Sequence, residues 1–141
     1  LITYSVGRHI DTEFARAKFE KRRARETDDD FERLADAGWM PDLSPRGFMR
    51  GIVTDDYKFA RYFSPREHHT PTSIDTLKSR NDLELFDLKS DPGETKNLAV
   101  MGDASDDLVL SLNGKLNALI AAEVGHDDGR DLPGPTFLWR A

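Results

Sequence analysis

The chain has 141 residues, enough for one domain with a modest hydrophobic core. Hydrophobic residues make up 38% and charged residues 33%, so the chain is polar without being polar enough for disorder throughout. A formal net charge of −6 argues against a nucleic-acid-binding surface. The absence of cysteine excludes disulfides, thiolate metal sites and cysteine nucleophiles. No apolar run approaches the roughly 20 residues of a membrane-spanning helix.

Residues 1–45 are predicted to form a strand followed by a charged helical segment. The apolar alternation over Leu1–Val6 indicates a short strand. Asp11 can cap the helix after it, and a basic cluster at 21–25 precedes three consecutive aspartates, Asp28-Asp29-Asp30. The aspartates could bind a divalent cation, but the positive N-terminus of a second helix explains them better. Because the sequence begins at leucine, we expect a fragment or a processed product of a longer protein.

A β-hairpin is predicted after a proline-containing connector. Phe48–Thr54 and Tyr57–Phe63 have strand composition, with a two-residue turn at Asp55-Asp56 between them. Lys58 and Arg61 alternate with aromatic residues on the second strand. For these two cations we favour pairing with strand carboxylates over a catalytic role.

A long loop over 64–81 contains the candidate site residues. Arg66, His68 and His69 cluster there, and loops of this length are often functional. Adjacent histidines in extended backbone point in opposite directions, so they do not readily share one metal ion. The three residues are either exposed loop residues or the edge of a substrate pocket. Ile74 and Leu77 indicate a turn of helix within the loop.

The next strand places apolar residues on both of its faces. Leu83 and Leu85 lie on one face, and Phe86 and Leu88 lie on the other. A single helix cannot cover both sets. We therefore expect the Phe86 face to be covered by another domain or by self-association. The alternative is that residues 1–40 fold back over it, with Phe14, Phe19 and Phe31 as candidates.

A tight turn is predicted to end this strand. Pro92 would fix φ at the second position of the turn and Gly93 would supply a positive φ at the third. Asn97-Leu98-Ala99 follows as an apolar anchor.

The clearest helix is predicted over 103–124. Ser105 can cap it, with Asp106 and Asp107 in its first turn. Its apolar stripe consists of Leu108, Leu112, Leu116, Leu119 and Ile120. In the tail that follows, 127–131 lacks the oxygen-ligand spacing of a calcium loop, which favours a turn.

Together these elements predict an α+β fold, with a small antiparallel sheet of about four strands, a C-terminal helix packed on it and the charged N-terminal helical segment. We divide the chain into residues 1–45 and residues 46–141.

Leu83–Ala99 resembles the strand and turn near the C-terminus of sulfatases. In that family a run Glu-Leu-Tyr/Phe-Asp-Leu is followed by Asp-Pro, Glu and then Asn-Leu-Ala. Arg50–Tyr62 is similar to the hairpin that precedes this run, and the resemblance covers roughly half the chain. It is most like bacterial arylsulfatases of the alkaline phosphatase superfamily. It implies that residues 46–141 are the C-terminal subdomain and that residues 1–45 link it to a catalytic domain.

The resemblance assigns no catalytic residue and no metal ligand to this chain. The family's nucleophile is a formylglycine made from Cys or Ser, with Pro two positions and Arg four positions later. The nearest pattern here starts at Ser90 but has Glu94 where arginine belongs. The family's calcium ligands lie in the N-terminal domain. The resemblance does imply that Arg66, His68 and His69 edge the substrate pocket of the intact enzyme, where a cation attracts a sulfate ester.

We therefore expect a non-catalytic fragment of an enzyme that cleaves aryl or alkyl sulfates with calcium and a formylglycine. Its partner would be the catalytic domain, and the isolated chain would form a homodimer through the sheet face or an exchanged N-terminal segment. We expect neither nucleic acid nor membrane as a partner. Bacterial cytoplasm and periplasm both remain open. One alternative is the same subdomain of a phosphonate or phosphate monoester hydrolase. The other is an autonomous interaction module that binds a partner through the charged helices 12–37 or the apolar sheet face.

Overall fold

A computed structural model of the chain describes residues 2–5, 42–67 and 70–126, together with positions 13, 16 and 20. Within these residues one antiparallel sheet has the strand order β1-β2-β3-β4. The strands are β1 (Ile2–Ser5), β2 (Phe48–Val53), β3 (Tyr57–Phe63) and β4 (Asp82–Asp87). The predicted α+β class is confirmed.

β2 and β3 form the predicted hairpin. Asp55 and Asp56 occupy its turn, which the backbone hydrogen bond from Thr54 N to Tyr57 O closes at 2.8 Å. The Thr54 hydroxyl strengthens this turn because it accepts a hydrogen bond from Tyr57 N at 3.0 Å. The resulting register pairs Ile52 with Phe59.

Three helices and one 3₁₀ turn accompany the sheet within residues 42–67 and 70–126. The 3₁₀ turn is Pro65–Glu67, and the helices are α1 (Ile74–Arg80), α2 (Leu98–Met101) and α3 (Asp106–Glu123). Ser105 caps α3 as predicted, because its side chain accepts a hydrogen bond from Leu108 N at 3.2 Å. Ser73 caps α1 in the same way.

The main core lies between α3, α1 and one face of the sheet. Its fully buried members are Phe59, Leu77, Leu85, Val109, Leu112, Leu116 and Ile120. The helix stripe differs from the prediction, because Val109 and Asn113 are buried whereas Leu108 and Leu119 are only half-buried. The stripe is therefore rotated toward Val109 and Asn113, and it contains a polar residue.

The opposite face of the sheet is more polar and better covered than expected. Phe86 is only 9% exposed, so the expectation that it lacks cover is wrong. Its cross-strand partner, Lys58, forms an ion pair with Glu94 at 2.6 Å, which brings the turn after β4 over this face. On the same face Tyr62 donates a hydrogen bond to Glu84 at 3.0 Å. Burial, aided by the Glu84 carboxylate, raises the pKa of Tyr62.

The turn after β4 differs from the prediction in its backbone. The hydrogen bond from Glu94 N to Asp91 O closes the turn at 3.0 Å. Gly93 does not have a positive φ; the positive φ of 54° belongs to Glu94. Pro92 and Gly93 are thus the second and third residues of a turn that has no left-handed residue at its third position. The left-handed residue is Glu94, the fourth.

Much of the N-terminal helical segment lies outside the described residues. Positions 13, 16 and 20 are helical, and Arg16 forms an ion pair with Glu20 at 3.0 Å in an exposed i, i+4 arrangement. The predictions on Asp28-Asp29-Asp30 and on 127–131 fall outside the description.

Candidate functional site

Arg66, the one predicted pocket-edge residue that the structure describes, lies between β3 and α1. Arg66 lies in the 3₁₀ turn, and its side chain is exposed. The predictions on His68 and His69 lie outside the described residues. We call residues 64–67 and 70–73 the Arg66 loop.

Ser64 anchors the N-terminal end of the Arg66 loop. This residue is buried, and its hydroxyl donates a hydrogen bond to the backbone carbonyl of Leu43 at 2.7 Å. The same oxygen accepts a hydrogen bond from Arg66 N at 3.1 Å, and Glu67 N donates to Ser64 O at 2.9 Å. The position of the Arg66 backbone is therefore set by a buried group directly after β3.

Two asparagines of α3 anchor the other end. The Nδ2 groups of Asn113 and Asn117 both donate to the carbonyl of Pro71, at 2.8 and 2.9 Å. They lie four residues apart, so both side chains project from the same face of the helix. Because a carbonyl oxygen has two lone pairs, Pro71 can accept both bonds.

The same two asparagines bind a buried guanidinium. Arg61, which is 1% exposed, donates through Nη1 to Asn113 Oδ1 at 2.6 Å and to Asn117 Oδ1 at 2.9 Å. Burial of a charge is costly unless it is hydrogen-bonded, and the two amide oxygens meet part of that need. We call Arg61, Asn113, Asn117 and the Pro71 carbonyl the arginine–asparagine network.

The sequence prediction for the two strand cations was only partly right. Lys58 pairs with a carboxylate, but Glu94 lies in the turn and not on a strand. Arg61 binds amides of α3, which the prediction missed. Asn113 and Asn117 interrupt an otherwise apolar helix stripe, and Arg61 falls on the facing side of a strand. Two asparagines four residues apart on the helix, and a cation on the core-facing side of β3, were the sequence signal that could have predicted this contact.

The turn containing Ser90 is held together by its own carboxylates. Asp87 accepts hydrogen bonds from the backbone N–H groups of Lys89 and Ser90, at 2.9 and 3.1 Å. Asp91 accepts from Lys96 N at 2.8 Å and from the Thr95 hydroxyl at 2.9 Å.

These hydrogen bonds have an electrostatic consequence. The backbone N–H of Ser90 lowers the pKa of Asp87, and the backbone N–H of Lys96 lowers the pKa of Asp91, because each hydrogen bond favours the ionised carboxylate. Both carboxylates therefore act as structural acceptors in the turn.

Calcium is the metal that the family resemblance implies. Over 42–67 and 70–126, no three acidic or histidine side chains come close enough together to hold a metal ion. We assign no calcium ligand to the described residues. In the same part of the chain, no helix combines the length and the apolar character needed to cross a membrane.

Comparison of the chain with protein-family models, with curated proteins and with solved structures gave no match.

Proposed function

We propose that the chain is the C-terminal subdomain of a sulfatase-family hydrolase whose intact form cleaves aryl or alkyl sulfate esters. One observation supports this most. The sequence stretch that carries the resemblance, Leu83–Ala99, folds as one unit in which β4, its turn and the Asn97 cap bind one another. Its characteristic Asp, Glu and Asn positions are explained by hydrogen bonds, as expected of a subdomain whose motif is structural.

In this proposal the chain completes the fold and contributes Arg66 to the substrate entrance. An exposed guanidinium on an anchored loop attracts and orients a sulfate ester through charge-assisted hydrogen bonds. The formylglycine nucleophile and calcium would be held by the catalytic domain. The 141-residue chain has no cysteine from which a formylglycine could form, and Ser90 lacks the accompanying arginine.

The coding sequence upstream of Leu1 tests the proposal first. We expect it to encode Cys-x-Pro-x-Arg together with several acidic metal ligands. An open reading frame that starts near Leu1 would contradict the proposal and favour an autonomous interaction module.

An activity assay of the extended polypeptide tests the reaction. With its formylglycine installed, the polypeptide should hydrolyse an aryl sulfate faster than the matching phosphate or phosphonate ester. The 141-residue chain alone, assayed with the same substrate and added calcium, should show no turnover. Preference for the phosphorus esters would assign the chain to the related monoester hydrolases.

Arg66→Ala in the extended polypeptide tests the contribution of this chain. We expect KM for the aryl sulfate to rise about tenfold, because one charge-assisted hydrogen bond is lost. Lys115→Ala removes an exposed cation from α3 and serves as the matched control. An equal effect of both substitutions would show that general surface charge, not Arg66, attracts the substrate.

A further inference from the structure

We propose that Asn113 and Asn117 are positioning residues that hold the Arg66 loop in place through Pro71. The expected effect of these asparagines on substrate binding rests on the proposed function. The hydrogen bonds between α3 and the loop do not depend on it.

In this network the oxygen and the nitrogen of each asparagine side chain have different partners. Each amide uses its oxygen for Arg61 and its Nδ2 for the Pro71 carbonyl. The guanidinium has donors only, so it fixes the orientation of both amides with their oxygens toward Arg61. The Nδ2 groups are thereby directed at Pro71. The buried cation thus determines where the loop carbonyl binds.

Stability alone does not account for this arrangement. A buried charge with polar partners is often no more stabilising than apolar residues of similar volume. The network instead fixes the position of the Pro71 carbonyl, because two hydrogen bonds converge on its oxygen. Pro71 is itself buried, and Ser73, two residues later, caps α1. The loop is therefore held at two points, by Ser64 before Arg66 and by α3 at Pro71. Because Arg66 lies between the two anchors, loss of the Pro71 anchor should loosen the loop on both sides.

Asn117→Asp separates the two tasks of the side chain. The aspartate is nearly isosteric with asparagine and keeps an oxygen for Arg61, but it has no N–H to donate to Pro71. We would measure backbone amide hydrogen exchange in the 141-residue chain. The amides of Arg66 and Glu67 report on the loop before Pro71, and those of Thr76 and Leu77, at the start of α1, report on the segment after it. We call these four amides the loop reporters. The amides of Leu116 and Ile120 report on global unfolding.

We expect exchange at all four loop reporters to accelerate about fivefold relative to Leu116 and Ile120, the factor for one lost hydrogen bond. Asn113→Asp should act in the same direction. Asn97→Asp is the matched control, since it also removes an amide donor from a backbone carbonyl, that of Leu83. It should leave the four loop reporters unchanged.

Three results would overturn the inference. They are unchanged loop exchange, acceleration confined to Thr76 and Leu77, or equal acceleration at the loop and in α3. In the extended polypeptide, Asn117→Asp should raise KM for an aryl sulfate severalfold with kcat unchanged, whereas a fall in kcat alone would contradict a positioning role. If the extended polypeptide hydrolyses no sulfate ester, the proposed function fails while the exchange data still decide whether Asn117 positions the loop.

Discussion

The side-chain oxygen of Asn97 accepts a hydrogen bond from the backbone N–H of Leu85 at 3.1 Å, on the edge of β4 that faces away from β3. The Asn97 Nδ2 donates to the Leu83 carbonyl at 2.9 Å. One amide side chain thus pairs with β4 as a short neighbouring strand would. Unpaired edge groups invite association with other chains, so this contact protects the edge of the sheet. The same oxygen also accepts from Ala99 N at 3.1 Å and caps α2.

Asn97→Ala should lower the free energy of unfolding by about 2–3 kcal/mol, because three hydrogen bonds of ~1 kcal/mol each are lost. Asn97→Asp keeps the acceptor and loses only the donor to Leu83, so about 1 kcal/mol is expected. Urea unfolding with an unchanged m-value measures both losses. If the two variants lost the same amount, the hydrogen bonds that the side-chain oxygen accepts from Leu85 and Ala99 would contribute nothing.

The strands and the Ser105 cap of α3 could be predicted from the sequence because their signals are local. Alternation in β2 and β3, and Ser105 followed by two aspartates, depend on residues that are neighbours in the chain. The turn after β4 was predicted less well. Pro92-Gly93 fits a turn with a left-handed third residue, but Asp91 binds Thr95 and Lys96 and so moves the left-handed position to Glu94.

Gly93→Ala tests this revised turn. Gly93 lacks a positive φ, and an added Cβ would meet only the Thr95 side chain at 3.6 Å. The substitution should therefore be neutral or should stabilise the fold by about 0.4–1 kcal/mol, because it restricts the unfolded chain. Gly102→Ala, at φ 76°, should instead cost about 1 kcal/mol. Thermal melts of both variants measure the difference. A loss at Gly93 as large as that at Gly102 would restore the original prediction.

The arginine–asparagine network could not be predicted because it depends on long-range contacts. Arg61 and Asn117 are 56 residues apart in the chain. A period of 3.6 residues identifies the buried face of α3 only approximately, and the stripe of apolar residues that we predicted left out Asn113. The path of the loop determines that the asparagines bind the Pro71 carbonyl. The sequence contains no periodic pattern from which that path could be predicted.

Leu116→Ala should destabilise the fold by roughly 2–5 kcal/mol, the usual range for truncation of a buried leucine. The Leu116 side chain is fully buried in the core beneath β3 and β4. Lys115→Ala, next to it on the exposed side of α3, should cost less than about 0.5 kcal/mol. Denaturant melts distinguish the two. Similar losses would mean that the helix face is assigned wrongly.

Acid should weaken the turn after β4. The folded pKa values of Asp87 and Asp91 are lowered below the unfolded value of about 3.9. A lowered folded pKa means that the ionised carboxylate stabilises the fold above about pH 4, and that this contribution is lost as the pH falls through the folded pKa. The midpoint urea concentration for unfolding, measured from neutral pH to about pH 2.5, should therefore decrease as the pH falls below about 4.

Asp91→Asn separates this effect from general acid unfolding. Its side-chain oxygen still accepts from Lys96 but no longer titrates, so the variant should lose less stability on acidification than the wild type does. Asp103→Asn, at an exposed position between α2 and α3, is the matched control and should follow the wild-type curve. A parallel acid decline in all three proteins would exclude a contribution from Asp91.

The last prediction concerns self-association. Phe86 is buried within the chain, so it adds little to an apolar surface for a dimer through the sheet face. We therefore test the second predicted route, exchange of the N-terminal segment that contains β1. β1 pairs with β2 over only four residues, and residues 6–47 separate the two strands. A connection of that length can let β1 pair with β2 of a second chain in the same register, so exchange costs no strand contacts. We therefore expect sedimentation to show a dimer that forms as the concentration rises.

Engineered cysteines can show which chain supplies β1, since the natural sequence has none. Tyr4 and Met49 are register partners across β1 and β2, at a spacing that suits a disulfide. In Tyr4→Cys/Met49→Cys, oxidation at high concentration should yield covalent dimers, and at low concentration monomers with an internal disulfide. Met49→Cys/Tyr62→Cys joins neighbouring strands of the hairpin and should give internal disulfides at every concentration. Internal disulfides alone in the first variant, together with a monomer throughout the sedimentation series, would show that β1 stays with its own sheet.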